Sequence, residues 1–297
     1  MNSFDFKGSI KFKNYFEGWY IHILDSDKNI AYAVVFGISL YKKDPHAFIQ
    51  VIDKNSDDLY YFRFDTSEFF YNNDAIKIKD NIFSMSKLII KEGPIDINLS
   101  ISGYSFLRNN IFMPGAMGCV KYLPLPTHIE IIFLDSTVTG TANGNNFNGS
   151  AYMEKNWGKH FPSKWIWMES NNFQNKNTSF VFAYANLFNN IDGFFSILKI
   201  DDEEIRLATY NKCKAKINKS DDNHIEIIIN KQGLSLKMQV EYQDNYKLIA
   251  PGKNAQMART INESLTAKLN IQVYKNRNLI YEDSATNVAC ENLYKIK

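Results

Sequence analysis

The chain has 297 residues, 45% of them hydrophobic and 14% aromatic, and its 34 basic against 32 acidic side chains leave a formal net charge of +2. Without a block of like charge it offers no electrostatic footprint for nucleic acid, and no apolar run approaches the roughly 18 residues that a membrane-spanning helix needs. The opening "MNSFDFKGSIKFKNYF" lacks the apolar run of a secretory signal, and Cys119, Cys213 and Cys290 are too scattered for a disulfide framework or a zinc cluster, so the expectation is a cytoplasmic chain with reduced, passive thiols.

Along the chain the hydrophobic period is close to two. "YFEGWYIHIL" places Glu17, Trp19, Ile21 and Ile23 on one face of a strand and Tyr20 and His22 on the other. "AYAVVFGISL" (31–40) reads as a buried strand, and "HAFIQVID" (46–53) aligns His46, Phe48 and Gln50. "LYYFRFD", "AIKIKD", "FSMSKLII" and "INLSISG" follow at short spacing, separated by turn signals such as "DKNSDD". The rhythm breaks at 104–127, where Pro114, Gly115, Gly118, Pro124 and Pro126 exclude a central strand. This stretch is either a crossing between two β-units or a long loop within one domain. Beyond it "HIEIIFL" aligns His128 with Glu130, and "GSAYMEKNW" puts Tyr152, Glu154 and Asn156 on one face with Trp157 opening the next turn. "KWIWMESNNF" then sets Trp165, Trp167, Glu169, Asn171 and Phe173 on one face, and further short strands run to the end. A short helix is expected only around 253–264. The fold class is all-β, with two antiparallel β-units of the barrel or sandwich kind, residues 1–122 and 123–297.

Three of the four tryptophans fall within 157–167, interleaved with carboxyl and amide groups. As ordinary core, that face would bury Glu169 and Asn171 at a cost of several kcal/mol unless they were paired. As the wall of a ligand cavity it is mostly apolar with a few convergent polar groups. A desolvated carboxyl among aromatics titrates above its usual value and suits an acid catalyst, so Glu154 and Glu169 are the candidate acids. Trp165, Trp167, Asn171, Asn156, Trp157, Glu17, Trp19, His128 and Gln50 are the candidate ligand-binding residues. The competing view is structural: Glu17, Glu154 and Glu291 paired with lysine, arginine or backbone amides, and His22, His46 and His128 satisfied in the core. No His, Cys and Asp cluster has metal-ligand spacing, so neither metal nor cofactor is called for.

"YFEGWY", "HAFIQVID", "PTHIEI", "AYMEKNWGKHFPSKWIWMESNNF" and "APGKNAQMARTINES", in this order, resemble the tocopherol cyclase family. The resemblance implies two lipocalin-like (calycin-type) β-units around a hydrophobic cavity. It also implies a cyclase that protonates a prenyl double bond and lets a neighbouring phenol capture the cation. The family usually carries Gln where this chain has Glu169, and His in its plant members where this chain has Ser136. "ATNVACENL" stands for a glycine-rich stretch, with Glu291 keeping the acid. The expected activity is acid-catalysed cyclisation or isomerisation of a hydrophobic prenylated or polyene substrate. The alternatives are a non-catalytic carrier of such a lipophile and a carbohydrate-active or carbohydrate-binding β protein. The expected partner is a hydrophobic small molecule, with peripheral membrane contact open and no nucleic acid.

Overall fold

The alternation is realised as strands almost throughout. In the computed structural model, residues 4–296 are described apart from 57, 73, 110–112, 189–190, 244–245 and 295. Twelve strands come first: β1 (Phe16–Asp25), β2 (Ile30–Ser39), β3 (His46–Asp53), β4 (Tyr60–Phe64), β5 (Phe69–Asn72), β6 (Ala75–Ile78), β7 (Asn81–Ser84), β8 (Lys87–Glu92), β9 (Ile95–Ser105), β10 (Thr127–Phe133), β11 (Asp135–Ala142) and β12 (Asn145–Gly158). They form one sheet in the order β4-β3-β2-β1-β12-β11-β9-β8-β7-β6-β5, with β10 also on β12. Ten more strands form a second sheet: β13 (Trp165–Ser170), β14 (Thr178–Phe188), β15 (Ile191–Ile200), β16 (Glu203–Ala208), β17 (Lys214–Ser220), β18 (His224–Lys231), β19 (Leu234–Glu241), β20 (Tyr246–Pro251), β21 (Met257–Lys275) and β22 (Asn278–Asn292). Its order is β16-β15-β14-β13-β22-β21-β19-β18-β17, with β20 on β21. Both sheets are antiparallel and the protein is all-β.

Contacts divide the chain into two units. Unit one is Met1–Leu107, Pro124–Phe161 and Lys247–Thr260; unit two is Arg108–Leu123, Pro162–Tyr246 and Ile261–Lys297. A contiguous division at 122/123 and this one assign residues 108–122, 124–161 and 247–260 differently; for 124–161 the reason is that β10–β12 hydrogen-bond into the first sheet alongside β1.

In unit one, the odd-numbered side chains of β1 and β12 and the even-numbered ones of β2 point into a core that includes Trp19, Ile21, Val34, Phe36, Met153 and Phe133. Each such side chain contributes about 1.5–3 kcal/mol by leaving water. The opposite face of β1 and β3, and that of β12 at Tyr152 and Glu154, is buried as well, which is why all ten residues of β1 are buried and its sequence has no solvent-facing half. Gly149 lies where β12 passes the end of β1: a Cβ there would stand 2.0 Å from Leu24 O, so only glycine fits.

In unit two the core takes Ile166 and Met168 of β13 with Phe180, Phe182, Ile227 and Leu269. Phe173 joins this core, bridged to Ala285, rather than the face of Trp165 and Trp167. β13 ends at Ser170, and the bend that follows breaks the strict alternation on which the expected Asn171 and Phe173 positions rested. The helix expected at 253–264 is a single 3-10 turn, Lys253–Ala255, followed directly by β21. Asn254 and Ala255 both take left-handed φ, which stops helix growth, and "TINESLTAKLNI" then alternates as a strand does.

Candidate functional site

The expected site residues separate into three groups. The first surrounds Lys155 on the inner face of unit one. Trp19 and Lys155 stand opposite each other across β1 and β12, as do Glu17 and Trp157, and His128 of β10 also faces Trp157. Lys155 Nζ lies 3.3 Å from Glu17 Oε1, and neither side chain has accessible surface. The ammonium also sits 5.0 Å from the Trp157 ring and 5.5 Å from the Trp19 ring. Glu17 accepts from Lys7 N, Gly8 N and Tyr15 Oη, while Trp19 Nε1 donates to Phe4 O at 2.9 Å and Lys155 to Asp5 O. Burial pushes the Lys155 ammonium down to about 8 against the pull of Glu17. Burial likewise raises Glu17, opposed by Lys155. His128 stacks on Trp157 with centroids 5.3 Å apart and is lowered by desolvation. Glu17, Trp19 and Lys155 thus fasten the N-terminal segment to the sheet, while Trp157, with His128 stacked on it, lies against the ammonium.

The second group occupies the opposite face of the same sheet. Tyr20, not Trp19, stands opposite Glu154, so Glu17 and Trp19 lie on the other side of the sheet from Glu154. Tyr152 Oη and Asn156 Nδ2 each donate to Glu154 at 2.6 Å, one to each oxygen, as to an anion. His22 pairs across the strands with Tyr152. Gln50 is committed elsewhere on this face: its amide donates to Ile249 O at 2.9 Å and accepts from Ile249 N at 2.8 Å. Ser39 Oγ donates to Ala255 O, so residues 249–255 are stitched to this side of β2 and β3.

The third group is in unit two, on the face of β13 that turns away from the core. Trp165, Trp167 and Glu169 are buried there, with Asn171 half-buried past the strand end. Trp167 stands opposite Glu291 of β22, and Glu169 opposite Ala289. Trp165 Nε1 donates to Glu291 Oε2 at 2.5 Å. Ser264 of β21 faces Cys290, which puts the buried Glu263 across from Glu291 on the same face. Two tryptophans and three carboxyl groups therefore share one dry surface, floored by Val181, Ala183, Phe195 and Ile197 of β14 and β15. Glu263 is the residue the sequence reading passes over, although it lies within "TINES". Its signal is the alternation of 261–269, which sets Glu263 in the strand beside β22. Among the described residues no group of three His, Cys, Asp or Glu side chains could hold a metal ion, and no helix is long and apolar enough to cross a membrane.

Comparison with known proteins places this geometry. The crystal structure described as AttH from Nitrosomonas europaea superposes with a TM-score of 0.59 at 12% identity, covering 97% of this chain and 95% of that one. Kievitone hydratase from Nectria haematococca gives 0.52 at 11% identity, covering 93% and 88%. At such identities the likeness shows the fold alone. No curated protein matches the chain in sequence. The tocopherol cyclase-like family matches residues 104–291, a stretch that includes Glu154, Glu169, Glu263 and Glu291. With well over half of its length matched, the chain belongs to the tocopherol cyclase-like family.

Proposed function

We propose that the protein is an acid catalyst acting on a hydrophobic, alkene-bearing substrate, by cyclisation, isomerisation or hydration. One observation carries the reading: Trp165, Trp167, Glu169, Glu263 and Glu291 are all buried and lie on one face of β13, β21 and β22. Family membership supports the same class of chemistry, and the neighbour named as a hydratase shares the fold. Alkene protonation needs a carboxyl set against an apolar ligand, and Glu169 lies buried on the face that carries both indoles. Glu169 gives its proton to the less substituted alkene carbon. The tertiary cation that results is stabilised by the indole faces, and an internal hydroxyl or a water captures it. Loss of a proton from the captured oxygen, or from a neighbouring carbon in the isomerisation, restores the acid. Glu154, bonded by Tyr152 and Asn156, is the competing acid. Its two accepted hydrogen bonds suit an anion better than a proton donor.

The test is turnover of prenylated hydroquinones and polyenes by Glu169→Gln and Glu154→Gln, with binding followed by tryptophan fluorescence. Glu169→Gln is expected to bind normally and to lose about 10²–10⁴-fold in rate, even though it installs the amide usual in the family. Loss in Glu154→Gln alone moves the acid to unit one. Tight binding without turnover by the parent protein favours the carrier.

A further inference from the structure

The strand ends of unit two collect cations that the linear sequence scatters. Lys214 opens β17 opposite Asn230, and Lys231 closes β18 opposite Leu234. Leu234 pairs in turn with Lys275, which closes β21 opposite Asn278, with Arg277 in the turn between. The two hairpin tips touch: Asn276 N donates to Gly233 O at 2.8 Å. Four exposed cations thus line one rim, and among the described residues no carboxylate forms an ion pair with them. At the opposite ends of β17 and β18, by contrast, Lys219 and His224 pair with Asp221. No Asp or Glu occurs in 205–220, 227–240 or 265–281, so the strands that build the rim carry positive charge alone near their tips.

Beside the cations lie two open apolar side chains, Leu279 and Ile280, 48% and 53% exposed. The register skips Ile280, because Tyr274 faces Leu279 while Val273 faces Tyr281, and a residue bulged out of the ladder is turned outward. Arg277 occupies the second left-handed position of its two-residue turn, at φ 70°, where glycine is the favoured residue. The hairpin holds a cation at its tip against backbone preference.

We propose that this rim is a docking surface for the anionic headgroups of a lipid bilayer, with Lys214, Lys231, Lys275 and Arg277 meeting phosphates and Leu279 and Ile280 entering the acyl boundary. Basic residues around a short apolar tip are the general pattern of interfacial attachment. A nucleic acid would neutralise the cations and leave the apolar pair in water. The proposal does not depend on the catalytic reading.

The experiment sediments the full chain with vesicles of phosphatidylcholine alone and of phosphatidylcholine mixed with phosphatidylserine. Binding is expected only to the mixed vesicles and to weaken as salt rises. Lys275→Gln and Arg277→Gln should each weaken it about fivefold. Leu279→Ser combined with Ile280→Ser should weaken it by roughly tenfold. Lys43→Gln, an exposed lysine of unit one, should change nothing. All these positions are exposed, and unchanged circular dichroism confirms that the variants fold. Equal binding to neutral vesicles, no binding, or indifference to the rim variants overturns the proposal. So does Arg277-dependent binding of a short oligonucleotide by a protein that ignores vesicles.

Discussion

Replacing Lys155 with methionine removes one half of an ion pair that has no contact with solvent. At the observed 3.3 Å, the attraction is about 5 kcal/mol with an effective dielectric constant near 20, and desolvation of the two groups offsets much of it. The loss on mutation is nonetheless large, because the buried Glu17 loses its counter-charge and Asp5 O loses its donor. We expect Lys155→Met to destabilise unit one by about 3–5 kcal/mol, and Glu17→Gln combined with Lys155→Met to recover most of that loss. Urea unfolding followed by tryptophan fluorescence is suited to the measurement, since Trp19 and Trp157 flank the ammonium. A single variant within about 1 kcal/mol of the parent, or a double variant no better than the single, would refute the argument that the pair acts as a unit.

Further outcomes follow from other contacts. Gln50→Leu should cost about 1–3 kcal/mol in urea unfolding, since Ile249 loses a partner for both its N–H and its C=O. Arg277→Gly should raise the melting temperature, by relieving about 1–2 kcal/mol of left-handed strain, while weakening vesicle binding. His46 and His128 are held below their usual range by burial, so the folded protein binds fewer protons there than the unfolded chain. Their contribution to stability is full above about pH 6.5 and is lost as pH falls from there toward the folded values. His46→Gln should therefore show a smaller difference in urea midpoint between about pH 7 and pH 5 than the parent does.

Much of this architecture can be read from alternation alone. The two faces of β1, the alignment of His46, Phe48 and Gln50, and the shared face of Trp165, Trp167 and Glu169 all follow from a period of two. Alternation cannot say which face meets the core when both are buried, and β1 is such a strand. That is why Glu17, Trp19 and Glu154 are candidates for one site while the register sets Glu154 opposite Tyr20, on the other side of the sheet from Glu17 and Trp19. The rule also fails past Ser170, where a bend swings Phe173 into the other side. Long-range pairing is a separate obstacle. Nothing local brings Glu263 beside Glu291, or Lys214, Lys231 and Lys275 to one rim, because those neighbours are chosen by strand order. A chain with no run of like charge can still fold into a positively charged edge.

The pairing of β1 with β12 has a consequence for how the protein is made. Phe16 meets Gly158 and Leu24 meets Ser150, so the first strand waits for one emerging more than a hundred residues later. At about 5–20 residues per second, a ribosome takes on the order of ten seconds to supply it. Throughout that interval the β1–β3 meander presents an unpaired edge and an apolar surface that includes Trp19, Ile21 and Ile23. Non-local closure of this kind slows folding and exposes the nascent chain to aggregation. Overproduction at high temperature should therefore favour inclusion bodies, and slower synthesis or chaperone supply should raise the soluble yield.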